Sequence, residues 1–389
     1  MLPLLVISIS GCASLGRLPP VPLAKAAEVS PLNVPHARFY SGDDASDLNA
    51  FAVEVVEKRR RHEGASFAKG KYATSHFLAI SGGGDDGAFG AGLLVGWTQR
   101  GDRPEFRIVT GISTGALSAP FAFLGPDYDD SLKSVYTDVT AGDIFTKRSV
   151  ISVVTDDAVT DSTPLRDLIA RHMDQGMITR IAEEYDKGRL LLIATTNLDQ
   201  GRPVIWNIGA IAKSRHPHAR DLIIEVLRAS ASIPGVFPPV MLDVSVDGKR
   251  YEEMHVDGGA AAQVFLYPPA FNLKKNSENL KNSTRHVAYV IRNGRLWRPE
   301  ESVKRQTLDI LSKTVSTMIA SSGVNDTYRI YTTTKRDGVD FNLAYIEDDF
   351  GEPYVGPFDK AYMRKLFSHG YEKGLKGYIW HKVPPGYGR

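Results

Sequence analysis

Short apolar runs and longer amphipathic stretches take turns along the chain. Residues 76–81 (HFLAIS) are a compact apolar run and predict the first core strand. Residues 190–197 predict a buried parallel strand, residues 287–294 (VAYVIRNG) the last core strand, and residues 339–346 a further one. Leu48, Phe51, Val55 and Val56 recur at helical spacing over residues 47–61. The basic run Lys58-Arg59-Arg60-Arg61 closes that helix where it complements the dipole, an explanation preferred to a membrane-phosphate site. Residues 219–231 repeat the spacing with Leu222, Ile223, Val226 and Leu227 and end before Pro234. Residues 303–319 predict a long amphipathic helix and residues 358–373 a last one, with Leu366 and Phe367 packed on the core. Asp161-Ser162-Thr163-Pro164 reads as a helix start, with a hydroxyl at the cap and proline at the first position. No internal repeat is present.

The chain is organised around residues 106–119, FRIVTGISTGALSA. Phe106, Ile108 and Val109 predict a strand, and Ala116, Leu117 and Ala119 the helix after it. Between them stands Gly111-Ile112-Ser113-Thr114-Gly115, a G-x-S-x-G pentapeptide. Strand, serine and helix together describe a nucleophile elbow. The serine must sit on a strained turn, and side chains two residues to either side would clash, so Gly111 and Gly115 are required. Pro120 conflicts with this, since it should kink the helix or delay its start.

Composition narrows the picture less. The 389 residues can bury a large core, and a net charge of +2 gives no general case for nucleic-acid binding. Cys12 is the sole cysteine, so neither an intrachain disulfide nor a thiolate metal cluster can form. No H-E-x-x-H or comparable spacing appears, and neither a metal nor another cofactor is expected. Residues 1–11 are apolar, too short to span a bilayer and suited to a signal peptide. Ile9-Ser10-Gly11-Cys12 is similar to a bacterial lipobox, which makes Cys12 a lipidation site and predicts a membrane-anchored protein. The basic residues usual before such a run are absent, the first being Arg17. Ala13 gives no acidic retention signal, so by analogy with other bacterial lipoproteins the outer membrane, facing the periplasm, is the expected location. Residues 17–40 carry Pro19, Pro20, Pro22, Pro31 and Pro35 and predict an extended tether.

After the first strand comes Gly82-Gly83-Gly84-Asp85-Asp86-Gly87. Its spacing could suggest a dinucleotide site, but the two carboxylates would stand beside a pyrophosphate. A glycine loop exposing bare amides before a serine nucleophile reads better as an oxyanion hole. In sequence order the glycine loop, the Gly111 to Gly115 elbow and Asp257-Gly258-Gly259 resemble the patatin-like phospholipase family. The stretch 228–239 (RASASIPGVFPP) is also family-like, and the resemblance covers residues 76–294.

The resemblance implies an α/β fold of three layers, a mostly parallel central sheet with helices on both faces. It divides the chain into residues 1–11, an anchor and tether segment at 12–75, the catalytic domain at 76–294 and a helical extension at 295–389. It implies a Ser113–Asp257 dyad in which Asp257 takes the serine proton without histidine. The weak base then needs strong oxyanion stabilisation, from Gly83 and Gly84, with Gly82 and Gly87 shaping the turn and Gly258 and Gly259 packing Asp257 against the elbow. A Ser–His–Asp triad is the rival arrangement. His255 is its nearest candidate in sequence, though a plain strand residue is the better reading, and His216 and His218 are expected at the surface. The implied activity is hydrolysis of lipid esters of the phospholipase A or lysophospholipase type. A small-ester esterase or thioesterase, or a membrane-tethered binding protein without turnover, are the alternatives. Many family members carry Arg or Lys where Asp86 stands. Asp85 and Asp86 either complement the helix dipole or face the mouth of the site and repel anionic head groups.

Overall fold

A computed structural model describes residues 16–40, 45–64, 74–148, 157–279, 284–296 and 302–387; the run at 1–11 and Cys12 lie outside these. Nine strands among the described residues form one sheet: β1 (Arg38–Tyr40), β2 (Ser75–Ile80), β3 (Phe106–Gly111), β4 (Leu190–Asn197), β5 (Arg202–Asn207), β6 (Val240–Val246), β7 (Lys249–Asp257), β8 (His286–Arg292) and β9 (Asp340–Tyr345). They run in the order β1-β5-β4-β3-β2-β8-β9, with β7 beside β4 and β6 beside β7. The five strands β4-β3-β2-β8-β9 are mutually parallel. The remaining pairings are antiparallel.

The helices that matter for the site are α1 (Ala45–Glu63), α2 (Gly87–Arg100), α3 (Thr114–Leu124), α4 (Asp129–Thr137), α5 (Thr163–His172), α6 (Ala219–Ser230), α7 (Thr307–Asp337) and α8 (Lys360–Lys376). Successive residues of β2 point to opposite faces of the sheet. Leu78 and Ile80 join the core beneath α2, α3 and α8, whereas Phe77 and Ala79 join a second core with Ile330 and Tyr331 of α7. Both faces are therefore covered, which is why the β2 run is apolar without alternation. Helices α2 and α8 touch backbone to backbone. A Cβ on Gly92 or Gly96 would lie 2.1 Å from the carbonyl oxygens of Phe367 and Tyr371, and one on Gly370 or Gly374 would strike those of Phe89 and Leu93.

Several expectations change. The proline-rich stretch is not a free tether where it is described. Val21 and Val29 are buried against Val244 and Val246, Arg17 forks onto Asp199 at 2.7 and 2.8 Å, and β1 joins the sheet edge. The apolar residues between its prolines find sheet surface to cover. Strand β4 is parallel to β3 only; β5 and β7 run against it. The helix expected at 303–319 runs to Asp337, because nothing stops it before Gly338, whose φ of 68° closes it. The strand expected at 339–346 is present as β9, which extends the parallel sheet beside β8, so the segment after 294 combines helix with strand. Helix α3 begins directly at Thr114 and continues past Pro120 to Leu124. Its packing on nearly every side holds the turn that has lost one amide donor. Of the basic run, Arg59 is buried and bonds Glu63 and Ser75, which suits a structural role.

Candidate active site

One edge of β4 is shared. Strand β3 runs along residues 190–193 in parallel, and β7 runs along residues 195–197 in the opposite direction. The C-terminal ends of β3 and β7 therefore meet head to head at Ala194. Gly111 pairs with Ile193 and Asp257 with Thr195. Ser113 lies just beyond the first end and Asp257 is the last residue of the second, so the topology brings them together.

Ser113 has φ 54° and ψ −126°, a conformation that costs a side-chain-bearing residue roughly 1–3 kcal/mol. Its surroundings hold it there. The Ser113 amide donates to Ser230 Oγ at 3.0 Å, and that hydroxyl donates to the Ala194 carbonyl at 2.7 Å. A Cβ on Gly115 would lie 2.2 Å from the Ile80 carbonyl oxygen, and one on Gly111 would lie 2.4 Å from that of Gly115. The 228–239 stretch thus acts through Ser230, and also through Ser232, whose carbonyl accepts the Asp257 amide at 2.8 Å.

Asp257 is 4% exposed. Burial pushes its carboxyl up to about 7, against hydrogen bonds from the Ser113 hydroxyl and the Gly259 amide, the latter at 2.6 Å. No cation among the described residues contributes. Gly258 is needed because a Cβ would lie 2.6 Å from the Ala194 carbonyl oxygen. His255 faces other partners. Its Nε2–H donates to Glu253 at 3.2 Å and its Nδ1 accepts from the Thr195 hydroxyl at 2.9 Å, and burial lowers its basicity. Both ring nitrogens are committed away from Ser113. His216 and His218 are 5.7 Å apart at the far end of the loop before α6, with His218 exposed.

In the glycine loop the Gly82 amide donates to the Gln263 carbonyl at 2.9 Å. The amides of Gly83, Gly84 and Thr114 have no protein acceptor among the described residues. Asn293 fixes the loop: it donates to the Ser81 carbonyl and accepts from the Gly90 amide. A Cβ on Gly83 would lie 2.0 Å from the Asn293 carbonyl oxygen, one on Gly87 would lie 2.2 Å from Thr114 Oγ1, and Gly84 has φ 60°.

Gln263 is a site residue that sequence reasoning missed. Its carboxamide fills the space that side chains on Gly82 and Gly259 would need, its Nε2 donates to the Gly259 carbonyl at 3.3 Å, and its amide donates to Asp326 of α7 at 2.6 Å. It ties the glycine loop to the Asp257 turn. The available signal was a single polar residue in the apolar run 260–266 (AAAQVFL).

Asp85 and Asp86 stand in the first turn leading into α2, where acids complement the helix dipole, and both carboxylates are also bonded to a distant segment. Asp85 is buried and accepts the Phe358 amide at 2.9 Å, and Asp86 accepts the Tyr362 hydroxyl at 2.8 Å. Asp86, the N-cap of α2, makes no side-chain capping bond, whereas the Asp85 carboxylate also accepts from backbone amides of its own turn. Beside the elbow, a cavity begins at Thr114 and runs along the Leu117–Phe121 face of α3. Its wall is almost wholly apolar and includes Leu168, Met173 and Leu227.

The patatin-like phospholipase family model matches residues 78–269. No curated protein sequence matches the chain. Among solved structures, VipD from Legionella pneumophila is similar at 11% identity and a TM-score of 0.37, over 78% of this chain and 67% of that one. Human GIVD cytosolic phospholipase A2 is similar at 9% identity and a TM-score of 0.27, over 73% of this chain and 51% of that one. By the family match, which takes in the glycine loop, the elbow and the Asp257 turn, the chain carries a patatin-like phospholipase domain over residues 78–269 and is a lipid acyl hydrolase.

Proposed function

We propose that Ser113 and Asp257 hydrolyse carboxylic esters of lipids as a two-residue unit, in the manner of a phospholipase A or lysophospholipase. The observation that carries this is the environment of Asp257: buried, without a cation, pushed up to about 7 and bonded to the hydroxyl of a strained serine. Such a carboxylate can accept a proton near neutrality. Ser113 Oγ attacks the ester carbonyl carbon and its proton passes to Asp257. The oxyanion takes the amides of Gly83 and Gly84. Collapse breaks the bond to the leaving alcohol, which recovers the proton from Asp257 and leaves an acyl-serine. Water then attacks the acyl-serine, Asp257 takes its proton and returns it to Ser113 Oγ, and the fatty acid departs. The apolar cavity beside Thr114 receives the acyl chain.

Labelling by a fluorophosphonate tests the unit. Wild type should react, and Ser113→Ala and Asp257→Asn should not. No labelling of wild type would favour a binding protein without turnover. Labelling with turnover of small esters or thioesters only would favour the esterase or thioesterase alternative. Attachment to the envelope membrane through lipidated Cys12 belongs to the same proposal. An unmodified peptide spanning Gly11 and Cys12 in native material would refute that part.

A further inference from the structure

The stretch 350–362 lies outside the family match, yet it reaches the glycine loop. Phe358 has φ 55°, an unfavourable backbone for its type, and is held there by its amide bond to buried Asp85. The Tyr354 hydroxyl reaches the same carboxylate, and Tyr362 holds Asp86 at the next position. Asp359 caps α8 by accepting the Tyr362 amide at 2.8 Å. Helix α8 is fixed in turn by the glycine contacts with α2, the helix that the glycine loop opens. The Phe358 side chain is therefore placed relative to the loop from both directions. It is half-buried, it lines the apolar cavity together with Met363, and its ring stands edge-on to Phe145 at 6.2 Å. Phe145 stands edge-on to Phe237 at 6.0 Å, so three aromatic rings from separate segments stand in a row, with Phe358 the one that lines the cavity.

We propose that Phe358 sets the acyl-chain length the site accepts, and that Asp85 seats it. One carboxylate then fixes both the glycine loop and the wall of the chain pocket. This rests on the reading of Ser113 as the nucleophile. A ring in the cavity wall limits how far a chain extends, and removing it enlarges the usable pocket.

The test is the ratio of kcat/KM for para-nitrophenyl palmitate to that for the butyrate, measured on the full chain. Phe358→Ala should raise the ratio by about fivefold or more, in line with the discrimination that one apolar pocket contact supplies. Phe358→Trp should lower it. Asp85→Ala, which frees Phe358, should move the ratio as Phe358→Ala does and also lower kcat, whereas Asp85→Asn, which keeps an acceptor, should stay near wild type. A ratio is insensitive to the fraction of folded enzyme, so a merely structural role for Phe358 would depress both esters equally. An equal loss, an unmoved ratio or a shift the other way overturns the proposal. Ser113→Ala is run alongside: if it keeps turnover, the nucleophile reading has failed, and if it is inactive while the ratio stays fixed, only the role of Phe358 has failed.

Discussion

Two buried carboxylates on β7 have opposite fates. Glu253 and Asp257 point the same way along one strand, and both are almost inaccessible to water. Desolvation raises each. At Glu253 it is outweighed by the His255 N–H and by the Arg38 fork at 2.5 and 3.1 Å, and the carboxyl is held down to about 2. At Asp257 only a hydroxyl and an amide oppose it, and the carboxyl rises to about 7. Burial alone therefore does not make a base. Burial without a countercharge does, and the neighbouring cluster shows what the same strand looks like when the charge is neutralised for structural use.

The sharpest way to break this comparison is to neutralise each acid. Asp257→Asn should lower kcat by about 10²–10⁴-fold. Its folded-state value lies above the unfolded one, so the wild-type carboxyl favours the fold below about pH 4 and loses that contribution as pH rises through about 7. The Asn variant should then melt at the same or a higher temperature than wild type near pH 8. Glu253→Gln should do the reverse: a loss of about 3–5 kcal/mol in denaturant titration, from stranding Arg38, with kcat per folded molecule nearly retained. If Glu253→Gln abolished turnover in folded protein, the division of labour would be wrong.

The pH profile is the next largest effect. Turnover needs ionised Asp257, so kcat/KM should climb about tenfold per unit on the acid side and level off near pH 7. A profile already flat from about pH 5 would mean that another group takes the serine proton. Gln263→Ala should cost about tenfold in kcat with KM little changed, because it loosens the glycine loop against the Asp257 turn without touching the chain pocket. Rescue by Gln263→Glu would show that only bulk at that position matters. The smallest effect is expected from His255→Gln, which keeps polar partners for Thr195 and Glu253. Its kcat should stay within about threefold of wild type, whereas a triad base would lose at least about 10².

The three motifs and their glycines were legible because close backbone approach leaves only one residue type possible. Gly111, Gly115 and Gly258 each face a carbonyl oxygen within 2.6 Å of where a side chain would begin. Strands buried on both faces, such as β2, announce themselves as apolar runs. Strands β5, β6 and β7 did not: in the hairpin at the sheet's flank, β6 alternates buried with more exposed residues and β7 opens on exposed charges before it turns inward. The course of residues 17–40 was hidden because prolines signal an extended chain, whereas its burial depends on the distant Val244 and Val246. Gln263 and Phe358 were missed for a related reason. Their roles lie in contacts with Gly82 and Asp85, far off in sequence, and only Gln263, a lone polar residue in an apolar run, stands out in its own segment.

The head-to-head meeting of β3 and β7 has a consequence for assembly. Neither strand end can reach its place until β4 is laid between β3 and β5, so no early folding intermediate can hold a working site. A chain divided at the exposed loop around His218 would leave Ser113 on one fragment and Asp257 on the other, with Ala194 carried by the first. Each fragment alone would be inert, and restored ester cleavage would report that the two had re-formed a shared sheet. Catalysis in this fold is thus a proofreading signal for topology.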